Sequence, residues 1–289
     1  MAAQRTRLDG GRWHFAHGPI ELVIGAQGDA ASVTAAHEAA WQRFQPLLAE
    51  LVAELPRLRR PVRAGANPLR GAVARRMWQA CAAIPTQFIT SMAAVAGAVA
   101  EEVAVAYAAP GITRAFVNNG GDIALVLQPQ AEWRVGLVAD IARKRPARES
   151  ALEGRFTVRG TDPVRGIATS GWRGRSQSLG IADAVTVLAA TAAQADAAAT
   201  IIANAVDVDD ARIVRAPGCT LRDDSDLGER LVTIGVPPLS ASQLDHALRS
   251  GASMARDLQA AGSIHAAALV CQGRQAFVQP LGAAVPLAA

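Results

Sequence analysis

Apolar and polar positions alternate in some stretches of this chain and recur at helical spacing in others. Arg12-Trp13-His14-Phe15 and Ile20 to Ile24 flank Gly18-Pro19, the pattern of a β-hairpin. From Ala31 to Leu55 the apolar residues Trp41, Phe44, Leu47, Leu48 and Leu51 form one stripe, which predicts a long helix ended by Pro56 and Pro61. An arginine-rich loop to Pro68 leads to a second helix through Val73, Met77 and Cys81. A third covers Ala94 to Glu102 and is built of small residues. Its interior Gly97 costs about 1 kcal/mol against alanine, so a close neighbour is expected there.

Strand patterns then dominate. Residues 115–118, 123–127 and 133–139 read as a meander around Gly120-Gly121-Asp122, and residues 155–159 and 167–169 continue the strands. The charged run 143–149 reads as a hinge or lobe margin. A strand over 184–188 precedes an alanine-rich helix over 192–206. After a polar loop at 222–226, a helix over 242–258 has Ser240 and Ser242 available as caps. A hairpin, 265–271 with 275–278, turns at Gln272-Gly273-Arg274.

At 289 residues the chain has the length of two domains or one large unit, and 51% hydrophobic with 19% charged residues describes a globular core. The formal charge is +4, spread along the chain and carried by arginine except at Lys144, so nucleic acid is not the expected partner. Cys81, Cys219 and Cys271 are too scattered for a disulfide framework or zinc cluster; Cys219, in a polar loop, is the thiol to test for reactivity. Met1 to Gly18 lacks the apolar stretch of a secretory signal, and Glu101 and Glu102 interrupt the apolar run 93–109, so the expectation is a cytoplasmic protein without a membrane span.

Three segments carry candidate chemistry. Asn119-Gly120-Gly121-Asp122 fits a hairpin turn, and equally a loop whose amides approach a ligand closely. Thr169-Ser170-Gly171 ends a strand with two hydroxyls and a flexible amide, followed by Trp172, Arg173 and Arg175; it fits a capped turn or a phosphate-binding nest with an aromatic face. Asp196, Thr200 and Asn204 recur every four residues and form an all-oxygen stripe on one helix. Such a stripe suits a hard cation such as Mg²⁺, or a satisfied polar seam between helices. The familiar nucleophile, Walker and zinc motifs are absent, and the histidines lie away from all three segments.

In this order the three segments resemble the ApbE-like superfamily of flavin-handling proteins, over roughly residues 85–204. The resemblance implies an α+β fold of mixed or antiparallel sheets packed with alanine-rich helices, in a single domain with a margin between two lobes near 143–150. It implies FAD or FMN together with Mg²⁺, with Asp196 and Thr200 on the metal. Asn119, Gly120, Gly121, Asp122, Thr169, Ser170, Gly171, Trp172 and Arg173 would bind the cofactor. Relatives of this kind move FMN from FAD onto a threonine of another protein; flavin transfer or pyrophosphatase chemistry is therefore one expectation. A non-catalytic accessory in cofactor or sulfur metabolism, acting through a protein partner, is the other, and a homodimer is compatible with both. The chain departs from the transferases between the second and third segments. It reads Ser176 to Asp183 without their His-Ile-Asp-Pro-like motif, and Ala96 stands where they carry lysine. Asp183 is then either a substitute base or a turn carboxylate. All three patches are expected to converge on one cation-bearing hollow.

Overall fold

The computed structural model describes residues 2–63, 65–84, 88–137, 154–174, 176–222 and 225–281. The expected margin at 143–150 and Arg175 lie outside them. In chain order the elements are β1 (Gln4–Arg7), β2 (Trp13–His17), β3 (Ile20–Gly28), α1 (Ala30–Leu58), α2 (Ala72–Ala82), α3 (Val95–Ala104), β4 (Ile112–Asn119) and β5 (Asp122–Leu127). They continue with β6 (Glu132–Leu137), β7 (Gly154–Arg159), β8 (Gly166–Ser170), β9 (Ala184–Ala189), α4 (Ala192–Ala205), β10 (Val214–Pro217) and α5 (Gly218–Leu221). β11 (Leu231–Gly235), α6 (Ala241–Ala260), β12 (Ala266–Cys271) and β13 (Arg274–Val278) complete the chain. The fold is α+β, with antiparallel pairing at every described strand register. Among the described residues no helix is long and apolar enough to cross a membrane.

Contacts divide the chain into two compact units. The first comprises Met1–Trp133, Val158–Ala168 and Ala189–Ala197; the second comprises Arg134–Thr157, Thr169–Leu188 and Ala198–Ala289.

In the first unit β1 to β5 pair in sequence, and β5 then pairs with β8 through Ile123 opposite Ile167. One sheet face carries Phe15, Leu22, Ile24 and Val117, all buried, and α1 covers it with Phe44 and Leu47. α1 runs past Pro56 to Leu58, further than expected, because Leu58 is itself fully buried. The meander stops at β5, and β6 pairs with β7 instead. Trp133, at the start of β6, lies edge-on to Phe116 with ring centroids 5.4 Å apart and under the Arg114 guanidinium at 4.4 Å.

β1 has no apolar pattern to announce it: Gln4-Arg5-Thr6-Arg7 is exposed throughout. Its anchor is Arg5, whose guanidinium stacks on Trp13 (5.6 Å) and Trp41 (5.1 Å) and pairs with Glu38 at 2.6 Å. A larger ionic network ties the helices together. Arg43 bridges Glu50 at 2.8 Å and Glu102 at 2.7 Å, while Arg76 bridges Glu101 at 3.1 Å and also Glu102. His37 behaves as a core residue. It shares a 2.7 Å hydrogen bond with the buried Tyr107 hydroxyl, and burial holds it below the usual histidine range.

In the second unit β9, β12 and β13 pair antiparallel, and α6 lays Leu244, Ala247, Leu248, Gly251, Ala252, Ala255 and Leu258 on one side. Ser240 caps α6 in a reciprocal box with Gln243, as the sequence suggests. The region around the polar loop also builds the β10–β11 ribbon, which has no expected counterpart.

Candidate functional site

The Asn119–Asp122 segment is a hairpin turn between β4 and β5, with Asn119 opposite Asp122. Gly120 and Gly121 adopt φ of 68° and 116°, left-handed backbone that favours glycine. Asn118 Oδ1 accepts from the Gly121 N–H at 2.8 Å and fixes the loop. The Asn119 side chain is buried and donates through Nδ2 to the Ala96 carbonyl at 3.1 Å, so the turn is fastened to the start of α3.

That start lacks a cap of its own, because Ala94 precedes α3 and supplies no side-chain acceptor. Helix openings leave their first N–H groups without partners. Asp196, arriving on α4, fills the role: its Oδ2 accepts from the Gly97 N–H at 2.9 Å. The approach requires glycine, since a Cβ on Gly97 would lie 2.2 Å from the Ala192 carbonyl oxygen. Gly166 of β8 faces the same spot, where a Cβ would meet Thr191 at 2.1 Å. The close neighbour expected from the cost of Gly97 is therefore the first turn of α4.

Asp196 retains some exposed side-chain surface, yet protein crowds its carboxylate. Desolvation, reinforced by the negative charge of Asp122, holds its pKa well above the usual carboxylate range, and the amides of Gly97 and Ala96 offset only part of this. A carboxylate serving only as a helix cap has its charged form favoured by the amides. Here a second carboxylate is set against the first, and the charged form is disfavoured. Asp122, Asp196, the Ala96–Gly97 peptide and Asn119 thus form one oxygen-rich group in the first unit. Thr200 stands one turn further along α4. Among the described residues no three His, Cys, Asp or Glu side chains gather as a metal cluster. The donor set is carboxylate, hydroxyl and carbonyl oxygen, which fits a hard cation.

The third member of the expected stripe is used differently. Asn204 Oδ1 accepts from the Leu179 N–H at 2.9 Å and the Ser178 hydroxyl at 3.1 Å, holding a loop of the second unit.

Thr169 to Arg173 form their own group in the second unit. The Thr169 and Thr186 hydroxyls share a hydrogen bond of 2.9 Å, and Ser170 is buried. Gly171 is buried where the chain leaves β8. Trp172 and Arg173 are stacked at 4.9 Å, and both reach Asp183 Oδ1 at 3.3 Å, through the indole N–H and the guanidinium Nε. The other Asp183 oxygen accepts from the Gln272 N–H at 2.5 Å, in the β12–β13 turn. A carboxylate engaged by three donors orients what surrounds it.

Sequence reading passed over Asn118 and Glu101. Asn118 is legible as the first residue of an Asn-Asn-Gly-Gly turn, whose side chain closes the loop. Glu101 was read only as a charge interrupting an apolar run. Its Oε2 in fact accepts from the Ala193 N–H of α4 at 3.4 Å.

Cys219, the thiol to test for reactivity, is tied to a carboxylate. Its thiol donates to Glu229 Oε1 at 3.2 Å, and this hydrogen bond, then burial and the carboxylate charge, raise its pKa above the ordinary thiol value. Alkylation at mildly alkaline pH is expected to be slower than for a free thiol. Glu229→Gln should speed it several-fold; equal rates in both proteins, followed by mass spectrometry, would remove Glu229 as the cause.

The chain is similar to several known proteins. The UPF0280 protein of Methanoculleus marisnigri is 37% identical over 168 residues, 56% of this chain and 65% of that protein. A UPF0280 protein of Methanopyrus kandleri is 40% identical over 148 residues, 50% of this chain and 55% of that one. The chain spans about half to 65% of the length of the curated relatives it matches. Among solved structures, the apo flavinyl transferase ApbE of Pseudomonas stutzeri aligns at 14% identity over 96% of this chain and 92% of that chain, with a TM-score of 0.42. The flavin transferase ApbE of Vibrio cholerae aligns at 13% identity over 96% and 98%, with a TM-score of 0.39. The family model described as AbpE bacteria matches residues 4–277, nearly the whole sequence. On that match the chain belongs to the AbpE bacteria family.

Proposed function

We propose that the chain binds a flavin nucleotide, FAD or FMN, with the help of a hard divalent cation held at Asp196 and Thr200 of α4. The observation that carries this reading is geometric: the Ala96–Gly97 peptide gives its N–H to Asp196 and its carbonyl to Asn119, the residue opposite Asp122, which brings two carboxylates together. Such a pair is unfavourable when both are charged, and a cation accepting oxygen ligands relieves it. Asp196 and Thr200, one turn apart on α4, are the proposed side-chain ligands. Magnesium bound there would screen phosphate charge, the chemistry that flavin transfer or pyrophosphate cleavage needs.

The chain's own residues have separable parts in this proposal. The Gly120 and Gly121 turn lets a ligand approach the backbone without side-chain obstruction, and Asn119 keeps the Ala96 carbonyl in place. Thr169 to Arg173, in the second unit, are a separate proposed nucleotide-binding group: hydroxyls and an amide from Thr169, Ser170 and Gly171, a flat apolar face from Trp172 and a guanidinium from Arg173. Asp183 is assigned to orienting Trp172 and Arg173, because its oxygens already accept from three donors. Nucleotide binding is placed ahead of group transfer, since the interval Ser176 to Asp183 holds no histidine.

Thermal melting with FMN, FAD and magnesium, separately and together, tests the reading. Magnesium at about 100 times its Kd adds about 2.7 kcal/mol. For a chain of this size that is a rise of roughly 5–10 °C. The rise should grow with pH, because the cation binds the deprotonated Asp196. A protein that melts identically with and without flavin and magnesium defeats the proposal.

A further inference from the structure

We infer that Glu101 is a positioning residue for Asp196: the two carboxylates form a reciprocal clasp between α3 and α4. The inference rests on the reading of Asp196 as a cation ligand. Each helix opens with an N–H group that its own turn cannot satisfy. Gly97, in the first turn of α3, donates to Asp196 Oδ2 at 2.9 Å. Ala193, in the first turn of α4, donates to Glu101 Oε2 at 3.4 Å. Glu101 follows Gly97 by four residues, and Asp196 follows Ala193 by three. Each helix therefore gives one amide and one carboxylate from adjacent turns on the same face. Two such ties, about a turn apart, fix the rotation of α4 about its axis, which one tie leaves free.

The remaining contacts leave Glu101 little choice of position. Arg76 Nε engages Glu101 Oε1 at 3.1 Å, so Oε2 is the oxygen left to face Ala193. The neighbouring amide of Gln194 is taken by Thr191 Oγ1 at 3.3 Å, so Glu101 serves a donor that nothing else described at that turn serves. The helices are close enough for the clasp to matter, because the Ala192 carbonyl fills the space where Gly97 would carry a side chain. Removing the Glu101 carboxylate leaves the Ala193 amide unpaired and lets the first turn of α4 rotate, which draws Asp196 off Gly97. Groups that orient a metal-binding carboxylate in this way alter metal affinity without touching the metal.

Two variants separate the parts of the claim: Glu101→Gln keeps an oxygen able to accept from Ala193, whereas Glu101→Ala does not. In the metal-free full-length protein, hydrogen exchange at the Gly97 amide should quicken about five- to tenfold in Glu101→Ala, the worth of one hydrogen bond. It should stay near the parent rate in Glu101→Gln. Magnesium affinity, measured well below the melting temperatures of all variants, should weaken about tenfold in Glu101→Ala and recover in Glu101→Gln. Should the alanine variant not fold, Glu101→Asp, one methylene too short to reach Ala193, carries the same expectation. Unchanged Gly97 exchange overturns the clasp, as does an equal change in the glutamine and alanine variants. If Gly97 exchange responds as expected while the parent protein ignores magnesium, the cation reading fails and the clasp stands.

Discussion

Gly97→Val is expected to cost the chain at least about 3 kcal/mol, the upper end for forcing extra atoms into a packed contact. A Cβ at this position lies 2.2 Å from the Ala192 carbonyl oxygen, 2.6 Å from its carbon and 2.9 Å from the Ala193 nitrogen. All three are backbone atoms, so no side chain can swing away and the two helices must separate. Even alanine, which gains about 1 kcal/mol of helix propensity over glycine, should lose more than it gains. Thermal melting followed by circular dichroism should show a fall of at least about 6 °C. The magnesium response should fall with it, since α3 carries the amide that Asp196 accepts from. A variant melting within a degree of the parent would mean that α3 and α4 do not meet at this point.

Asp196→Asn should act in the opposite direction on stability while removing the cation response. The folded pKa of Asp196 is raised, chiefly by desolvation and then by Asp122. A raised folded pKa means that the native state holds the proton more tightly than the unfolded chain, whose carboxylates titrate near about 4. The group's contribution is then fully present in acid and is lost as pH climbs through the raised folded value. In chelator at neutral pH the parent protein carries that penalty. The amide does not, and its oxygen can still accept from Gly97. The variant should therefore melt a few degrees above the parent in chelator at neutral pH. The two should converge towards pH 4, and magnesium should no longer shift the variant. A variant that melts lower at neutral pH and still responds to magnesium would make Asp196 a plain helix cap.

Local devices were legible in the sequence because their causes are local. The Gly120-Gly121 turn, the Ser240 cap with Gln243, and the β12–β13 hairpin each follow from residues within four positions of one another. Helical spacing likewise places Asp196 and Thr200 one turn apart on α4. What each side chain meets depends on elements far away in the chain. Asp196 faces Asp122 and Gly97, whereas Asn204, two turns on, is taken up by Ser178 and Leu179. No spacing rule separates those outcomes. The alternation over 133–139 shows a strand but not its partner: β6 pairs with β7, a choice among distant strands that spacing does not encode. β1 escaped notice because a strand with four exposed polar side chains has no apolar rhythm to detect.

That first strand has a consequence for solubility. With no buried residue of its own, it depends on backbone pairing with β2 and on the Arg5 guanidinium that stacks on Trp13 and Trp41. Were it to peel off, β2 would become a bare margin whose unpaired N–H and C=O groups invite a strand from another molecule. A planar cation can lie flat on both rings while its edge reaches Glu38, and lysine cannot do both. Arg5 is thus the side-chain tie that keeps β1, rather than β2, at this margin of the sheet.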